Sequence, residues 1–443
     1  MRRAWNLQCA TLFGLALTFF VGYSSKGECQ DCLPCDSSLS CDSYCFEDSL
    51  WDRDRLLGDL FGARSSLEEQ GIAFDLIGTT FYQGVASGGR EQAGELGGKM
   101  DYLLKIDGQK AGLQEGLFID LHGESRLGQS VNNIDGLLMP ANVAMAFPER
   151  DRDITALSGF KITQALSENF AVYAGKINTL DEYPLTFSPQ LGLNRPGIGG
   201  FMNTSLVFNP ILGRTVPYSA LGIGGAVLRD GLPFFAVTVF DPRERSTIGL
   251  QDPYAEGVTI VPDLTLRVEP LGLPGTYNFG GSYSTADHRS VDRSDYLFIP
   301  DIGIVGNEQS DSWSLYANFF QALWVDCCNK DRQWGIFGQF GISDGNPNPI
   351  RYVANGGVAG HSLIRGREID TFGIGFFYVG LSESFKGLAA PILPQRDEYG
   401  LELFYNYAIT PWCRLTGDLQ IAQPSTKALD TAIIPGMRLS VLF

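Results

Sequence analysis

Apolar and polar side chains alternate along most of the chain, from Gly71 to the last residue. The segment 117–124, LFIDLHGE, is an example, because Leu, Ile and Leu alternate with Asp, His and Glu. A period of two is typical of a β-strand with one apolar and one polar face. The charges lie on one face only, which a water-filled barrel allows and the packed core of a soluble sandwich does not. The pattern therefore predicts strands around a wet lumen.

The alternating segments, separated by turn residues, predict fifteen strands and one weaker candidate. The fifteen are 71–84, 97–107, 115–127, 153–163, 170–177, 217–228, 233–241, 258–268, 275–285, 312–325, 334–343, 367–380, 397–409, 412–422 and 435–443, and the weaker one lies at 350–360. Single-chain bacterial barrels have an even number of strands. We therefore expect an all-β fold, a transmembrane antiparallel β-barrel of sixteen strands over residues 71–443. In the last strand Leu439 and Val441 are expected to face lipid and Ser440 the lumen.

The connections between these strands alternate in length. The short turns at 164–169, 229–233 and 410–411 are expected on the periplasmic side, and the long loops on the outer side. The longest connection, 178–216, is the third outer loop and is rich in Gly, Pro, Asn and Phe. A loop of this size either extends into solvent or folds into the lumen and narrows it. Its candidates for a constriction are aromatic: Tyr183, Phe187, Phe201 and Phe208.

The polar face of the strands supplies the candidate pore-lining residues. We expect them to contact solute along the lumen, where weak binding at many sites favours conduction. They are Lys105, Asp107, Asp120, His122, Glu124, Lys176, Arg267, Glu402, Asn406, Asp418, Gln420 and Arg438.

The segments before the barrel divide into three. Residues 1–27 are typical of a signal peptide, with Arg2 and Arg3 before a short apolar run and small residues at its end. Residues 28–45 form a Cys-rich segment. Residues 46–70 show apolar positions near a period of 3.6, which predicts a short amphipathic helix. This helix either packs against the strand that follows or forms a plug or collar at the inner mouth of the barrel.

The chain has nine cysteines, of which Cys9 lies in the predicted signal peptide. The remaining ones could form disulfides or, at the C-x₂-C-x₂-C spacing of 29–35, a metal site. Exported chains meet an oxidising compartment, which favours disulfides. The disulfide candidates are Cys29, Cys32, Cys35, Cys41, Cys45, Cys327, Cys328 and Cys413.

Charge and motif content exclude several functions. A formal net charge of −17 argues against nucleic acid as a partner. The chain has only three histidines, and neither a zinc-protease motif nor a nucleophile elbow occurs. We therefore expect no enzyme, no catalytic residue, no cofactor and no metal.

Several ordered runs make the chain resemble a known family. They are GLFIDLHGE (116–124), AVYAGKIN (171–178), GREIDTFGIGFFYVG (366–380), EYGLELFYNYAITPWCRLTGDLQIAQP (398–424) and GMRLSVLF (436–443). Together they resemble the carbohydrate-selective outer-membrane porins, over about residues 50–443. The segment 28–45 departs from that pattern. The surface-layer-binding domain of some longer relatives is not seen, so anchoring to the cell wall by that route is not expected.

The resemblance implies passive diffusion of small neutral sugars through a lumen narrowed by inward-folded loops. It places the chain in the outer membrane of a Gram-negative-type envelope, with outer-membrane lipid as its surroundings and a homo-oligomer as an open question. The alternative is a structural barrel for envelope attachment or integrity, tethered through the Cys-rich segment. A third hypothesis, an outer-membrane hydrolase, is disfavoured by the few histidines. Solute flux distinguishes the first hypothesis from the second.

Overall fold

The chain forms a closed barrel of sixteen antiparallel strands. The computed structural model describes residues 49–149, 152–182, 199–299 and 303–443. The predicted signal peptide, the Cys-rich segment and residues 46–48 lie outside the described residues. Each barrel strand pairs with its neighbours along the chain, and the last strand pairs with the first. The predicted fold class and strand number are confirmed, including the weak strand at 350–360.

The strand bounds agree with the predictions to within a few residues. The barrel strands are β1 (Ile72–Gly84), β2 (Gly94–Asp107), β3 (Leu117–Gly128), β4 (Ile154–Ser167), β5 (Phe170–Asn178), β6 (Ser219–Arg229), β7 (Leu232–Phe240), β8 (Thr259–Val268), β9 (Gly275–Arg289), β12 (Glu308–Val325), β13 (Gln333–Ser343), β14 (Ile350–His361), β15 (Thr371–Leu381), β16 (Glu398–Thr410), β17 (Cys413–Gln423) and β18 (Ala432–Leu442). A separate hairpin, β10 (Tyr296–Ile299) with β11 (Gly303–Gly306), lies in the connection between β9 and β12 and was not predicted.

The C-terminal strand closes the barrel. Thr79 of β1 lies opposite Ser440 of β18, and the backbone amide of Phe443 donates to the carbonyl of Leu76. Side chains on β18 alternate between the outer and the inner face, as predicted. Leu439 is 40% exposed on the outer surface, and Ser440 is buried inside. Closure leaves no unpaired edge among the sixteen barrel strands, which a chain that crosses a bilayer with strands requires.

The predicted helix at 46–70 is much shorter in the structure. Only α1 (Ala63–Glu69) is helical, because Gly58, Leu60, Phe61 and Gly62 all have positive φ and interrupt the run before it. α1 packs against the strand that follows it. The buried Arg64 on α1 donates to the carbonyl oxygens of Phe74 and Phe443.

The remaining helical segments lie in connections. They are α2 (Thr204–Val207), α3 (Glu383–Ala389) and the 3₁₀ turns Val131–Asn133, Val143–Met145, Pro210–Arg214, Pro270–Gly272 and Arg293–Asp295. Within the described ranges, no helix has the length and the apolar character needed to cross a bilayer.

Two connections fold into the barrel and form an apolar core there. They are the second loop (129–153) and the third loop (179–218), each between the strands given above. Phe201 of the third loop packs against the inward-facing rings of Phe337 and Phe404, at centroid distances of 5.3 Å and 4.9 Å. Leu206 and Ile211 are fully buried in the same cluster. The lumen is therefore filled with packed side chains on the β12–β16 side.

Candidate functional site

Both ends of the third loop are held by adjacent lumen-facing residues of β3. Near the start of the loop, Asp181 accepts from His122 Nδ1 at 2.7 Å, while His122 Nε2 lies 2.9 Å from Asp101 of β2. Only a protonated imidazole can donate to both carboxylates at once. At the end of the loop, the hydroxyl of Tyr218 donates to Glu124. Burial raises the pKa of Tyr218 well above its usual value, so the hydroxyl keeps its proton for this bond.

The middle of the third loop is held by side chains of β16 and β18. The carboxylate of Glu402 on β16 accepts the backbone amides of Met202 at 2.5 Å and Asn203 at 2.9 Å. Arg438 on β18 donates to the carbonyl of Gly200 at 3.0 Å. A carboxylate that accepts two backbone amides is a strong, oriented anchor.

Amide side chains hold the second half of the third loop against the barrel wall. Asn355 of β14 donates to the carbonyl of Ser205 at 2.6 Å, and Asn209 donates to Asn318 of β12 at 3.2 Å. These side chains are uncharged and buried. The third loop is therefore fixed at both ends, at its middle and in its second half. Its described residues lie across the lumen.

The second loop is fixed in the same way. Glu398 lies four residues before Glu402, on the same face of β16. Its carboxylate accepts the backbone amides of Leu138 at 2.7 Å and Met139 at 2.8 Å. Asn142 donates to Gln83 of β1 at 2.6 Å. Two glutamates on one strand thus position both loops that fill the lumen.

The open space lies on the side of the lumen away from the apolar core. A cavity of about 310 Å³ is bounded by β1–β5, β18 and the two inward-folded loops. Its charged lining comes from neighbouring strands and from the start of the third loop: Lys99, Lys105, Asp120, His122, Glu124, Lys161, Lys176, Asp181, Glu182 and Arg438. This polar cavity is the candidate functional site.

One group of side chains in this wall has the composition of a metal site. Ligand atoms of Asp101, His122 and Glu124 lie within 4.8 Å of one another. The ammonium of Lys99 lies between the two carboxylates, 2.9 Å from Asp101 and 2.5 Å from Glu124. The chain thus supplies its own cation to these oxygens, and the group is best described as a buried charge network.

The predicted pore-lining residues fall into three groups. Those that line the cavity are Lys105, Asp120, His122, Glu124, Lys176 and Arg438. Those that are buried on the opposite wall are Glu402, Asn406, Asp418 and Gln420. In that second group Glu402 positions the third loop and Gln420 donates to the carbonyl of Ala141, so both contact a loop rather than the cavity.

The third group contains two residues that the structure places away from the cavity. Asp107 accepts the backbone amides of Gln109 and Lys110 and caps the turn after β2. Arg267 is exposed at the end of β8 and donates to the carbonyl of Pro233. The alternation placed both residues on the polar face. Both lie at the end of a strand, however, and the strand ends extend beyond the part of the lumen that the loops narrow.

The aromatic and cysteine candidates are distributed differently. Phe201 lines the cavity and Phe208 lines a second cavity of about 290 Å³, whereas Tyr183 and Phe187 lie outside the described residues. Cys327 is disulfide-bonded, Cys328 is exposed and Cys413 is a free, half-buried thiol. The five cysteines between 29 and 45 lie outside the described residues.

Several residues of the cavity were not predicted. The alternation could have identified Lys99 and Lys161, and also Asp101 next to Lys99 in the wall, because all three share the polar face of predicted strands. Asp181, Glu182 and Tyr218 lie in the third loop, where the sequence has no periodic signal. Their positions depend on how the loop folds back onto β3 and β4.

Comparison with known proteins gives one family and a set of similar folds. The model of the family described as "Carbohydrate-selective porin, OprB family" matches residues 97–443. The high-pH structure of Pseudomonas putida OprB is 18% identical, with 89% of this chain and 100% of that chain covered and a TM-score of 0.76. The low-pH structure of the same protein is 17% identical, with 89% and 99% covered and a TM-score of 0.53. No curated protein sequence matches the chain.

Proposed function

The chain belongs to the carbohydrate-selective porins of the OprB family and is a sugar porin, a channel rather than an enzyme. From this premise we propose that neutral mono- or disaccharides diffuse passively through the cavity between the third loop and the β2–β5 wall. Among the described residues, the apolar core fills the β12–β16 side of the lumen, which supports the cavity as the path of the solute.

The observation that carries this proposal is the asymmetric filling of the lumen. Phe201 and Leu206 pack against the β12–β16 side, whereas the opposite side keeps a cavity of about 310 Å³ with a charged lining. Lys105 and Lys161 offer hydrogen-bond donors to sugar hydroxyls, and Asp120 offers acceptors. Individual bonds of this kind in a wet site are weak, which lets a sugar enter and also leave.

The family and the fold imply an outer-membrane protein. We infer further that the exposed apolar side chains of the outer surface, among them Met437 and Leu439, contact lipid. The short turns, such as the one between β16 and β17, then lie in the periplasm, and the long loops face outward. This orientation puts the inward-folded loops at the outer entrance of the pore.

Liposome swelling tests the proposed path. The mature chain, reconstituted in liposomes, is expected to admit neutral mono- or disaccharides faster than protein-free liposomes do. Two variants of adjacent β4 residues locate the path, because Lys161 faces the cavity and Ile162 is 39% exposed on the outer surface. Lys161→Trp should slow sugar entry, since the indole would occupy cavity space, and Ile162→Trp should not.

The swelling assay is informative only if the protein is folded. Heat-modifiable gel mobility measures the folded fraction of each variant. No swelling with a folded barrel would show that the proposed transport is wrong. Equal rates for Lys161→Trp, Ile162→Trp and the unchanged chain would show that sugars pass elsewhere.

A further inference from the structure

A row of alternating charges crosses the wall of the cavity. Lys105 on β2 lies directly opposite Asp120 on β3, and Asp120 lies directly opposite Lys161 on β4. Lys161 forms an ion pair with Glu182 at the start of the third loop. All four side chains line the cavity. Because adjacent strands lie about 4.8 Å apart, positive and negative groups follow each other at short, regular intervals.

We propose that this row, Lys105–Asp120–Lys161–Glu182, is an electroneutral filter that sets the specificity of the channel for uncharged solutes. The proposal rests on the proposed function and adds the residues that determine its selectivity. A hydroxyl both donates and accepts, so a sugar can bind lysine and carboxylate groups in turn. An ion of either sign meets as much repulsion as attraction, because the formal charges of the row cancel.

Most other charged groups of the cavity are less able to act on a solute, and Asp181, which is 27% exposed, is paired with the buried His122. Lys99 is 8% exposed and its partners Asp101 and Glu124 are fully buried. The ammonium of Lys176 donates to the carbonyl of Ser246, and Arg438 is held by Gly200 and Thr416.

The row, in contrast, faces the open part of the cavity. Lys161 and Glu182 are 20% and 44% exposed, Lys105 is exposed and Asp120 is half-buried. A solute in the cavity can therefore contact these side chains directly. Less protein lies between the solute and the row than between the solute and the buried charges.

With this filter, the pore of an acidic protein is expected to be indifferent to cations. The chain has a formal net charge of −17, which on its own attracts cations to its surface. Each carboxylate of the row lies next to a lysine, so the local field is that of paired charges and decreases over a few ångströms. Loss of one member leaves the row with an excess of one unit charge.

Reversal potentials in planar bilayers test the filter with the full mature chain. Under a KCl gradient near 0.1 M, Lys161→Gln should raise the permeability ratio of K⁺ to Cl⁻, because the row then has an excess of one negative charge. Glu182→Gln should lower this ratio, and the double variant should return close to the unchanged chain. A unit charge at about 5 Å in water changes the local concentration of a monovalent ion by about fourfold. Because K⁺ and Cl⁻ change in opposite directions, the ratio should change by up to about sixteenfold, less the screening by salt.

Lys105→Gln is a second variant with the same expected direction as Lys161→Gln, since it also leaves the row with an excess of one negative charge. The matched control is the ion pair of Glu149 and Arg152, joined at 2.6 Å and also partly exposed, which does not line the cavity. Glu149→Gln and Arg152→Gln remove the same charges and should leave the ratio unchanged.

Opposite shifts for the lysine and glutamate variants, with restoration in the double variant, support the filter. Unchanged ratios, or shifts of the same sign, overturn it, as does an equal effect of the control pair. Ion currents do not depend on sugar flux, so a filter that fails here is distinguishable from a chain that does not transport sugar.

Discussion

The carboxylate of Glu402 on β16 accepts the backbone amide of Asn203 in the third loop at 2.9 Å. The two residues are far apart along the chain and meet across the lumen. Glu398, on the same face of the same strand, accepts two amides of the second loop. One strand of the barrel thus positions both segments that narrow the pore, and the width of the path depends on bonds made by the wall opposite the cavity.

Replacement of Glu402 is expected to widen the pore. Glu402→Leu removes both acceptors and leaves the amides of Met202 and Asn203 unpaired, at a cost of about 1–3 kcal/mol for each buried group. The loop should therefore shift towards water, with a higher single-channel conductance and a smaller preference for sugar over ions. Glu402→Gln keeps one acceptor and should have an intermediate effect.

Glu383→Gln is the control for the Glu402 variants. Glu383 is exposed on α3 and forms an ion pair with Lys386 at 3.2 Å, away from the third loop. Its conductance should equal that of the unchanged chain. A folded Glu402→Leu channel with unchanged conductance would show that the loop does not depend on this anchor.

The sequence predicted the barrel more completely than the site. Alternation identified the strands, because the two faces of each strand meet different surroundings, and it placed Glu402 on the inner face. Its role as an anchor was not accessible, since its partners are backbone amides of a loop about 200 residues away. For Lys161, the alternation could have given the polar face but not the neighbouring side chains. It lies in a predicted strand, but its place beside Asp120 follows from the register between strands, which the pattern along one strand does not give.

The predicted helix at 46–70 shows a different limit. Apolar residues recur there near a helical period, yet the backbone at Leu60 and Phe61 adopts positive φ, which helices exclude. Glycines at 58 and 62 break the segment on either side, and only seven residues form α1. The prediction rested on the period of the apolar residues and did not take the effect of these glycines on the backbone into account.

Tyr218→Phe tests the anchor at the end of the third loop. The hydroxyl donates to Glu124 and accepts from Asn178 at 2.9 Å, and both partners are buried. Its loss should lower the free energy of unfolding by about 1–2 kcal/mol, since a charged acceptor loses one donor. We also expect larger fluctuations of the open-channel current. Urea unfolding in lipid and current noise in a bilayer measure the two effects.

Tyr173→Phe provides the matched control for Tyr218→Phe. Its hydroxyl is hydrogen-bonded at 2.6 Å to Thr238 on the barrel wall rather than to a residue of the third loop. This variant should lose some stability and show no additional current noise. Equal noise for the two variants would mean that the hydroxyl of Tyr218 does not restrain the loop.

Arginine substitutions along β18 test which surface meets lipid. Met437 lies at the centre of the strand and is 51% exposed on the outer surface, and Val441 lies near its end. Met437→Arg should cost about 2–4 kcal/mol of folding free energy near the bilayer midplane, and Val441→Arg about 0–1 kcal/mol near the interface. The loss of the folded band in heat-modifiable gels, with urea titration in lipid, ranks the variants. Because β18 closes the barrel against β1, a cost that is equal at both positions, or larger for Val441→Arg, would contradict the proposed position of this strand in the membrane.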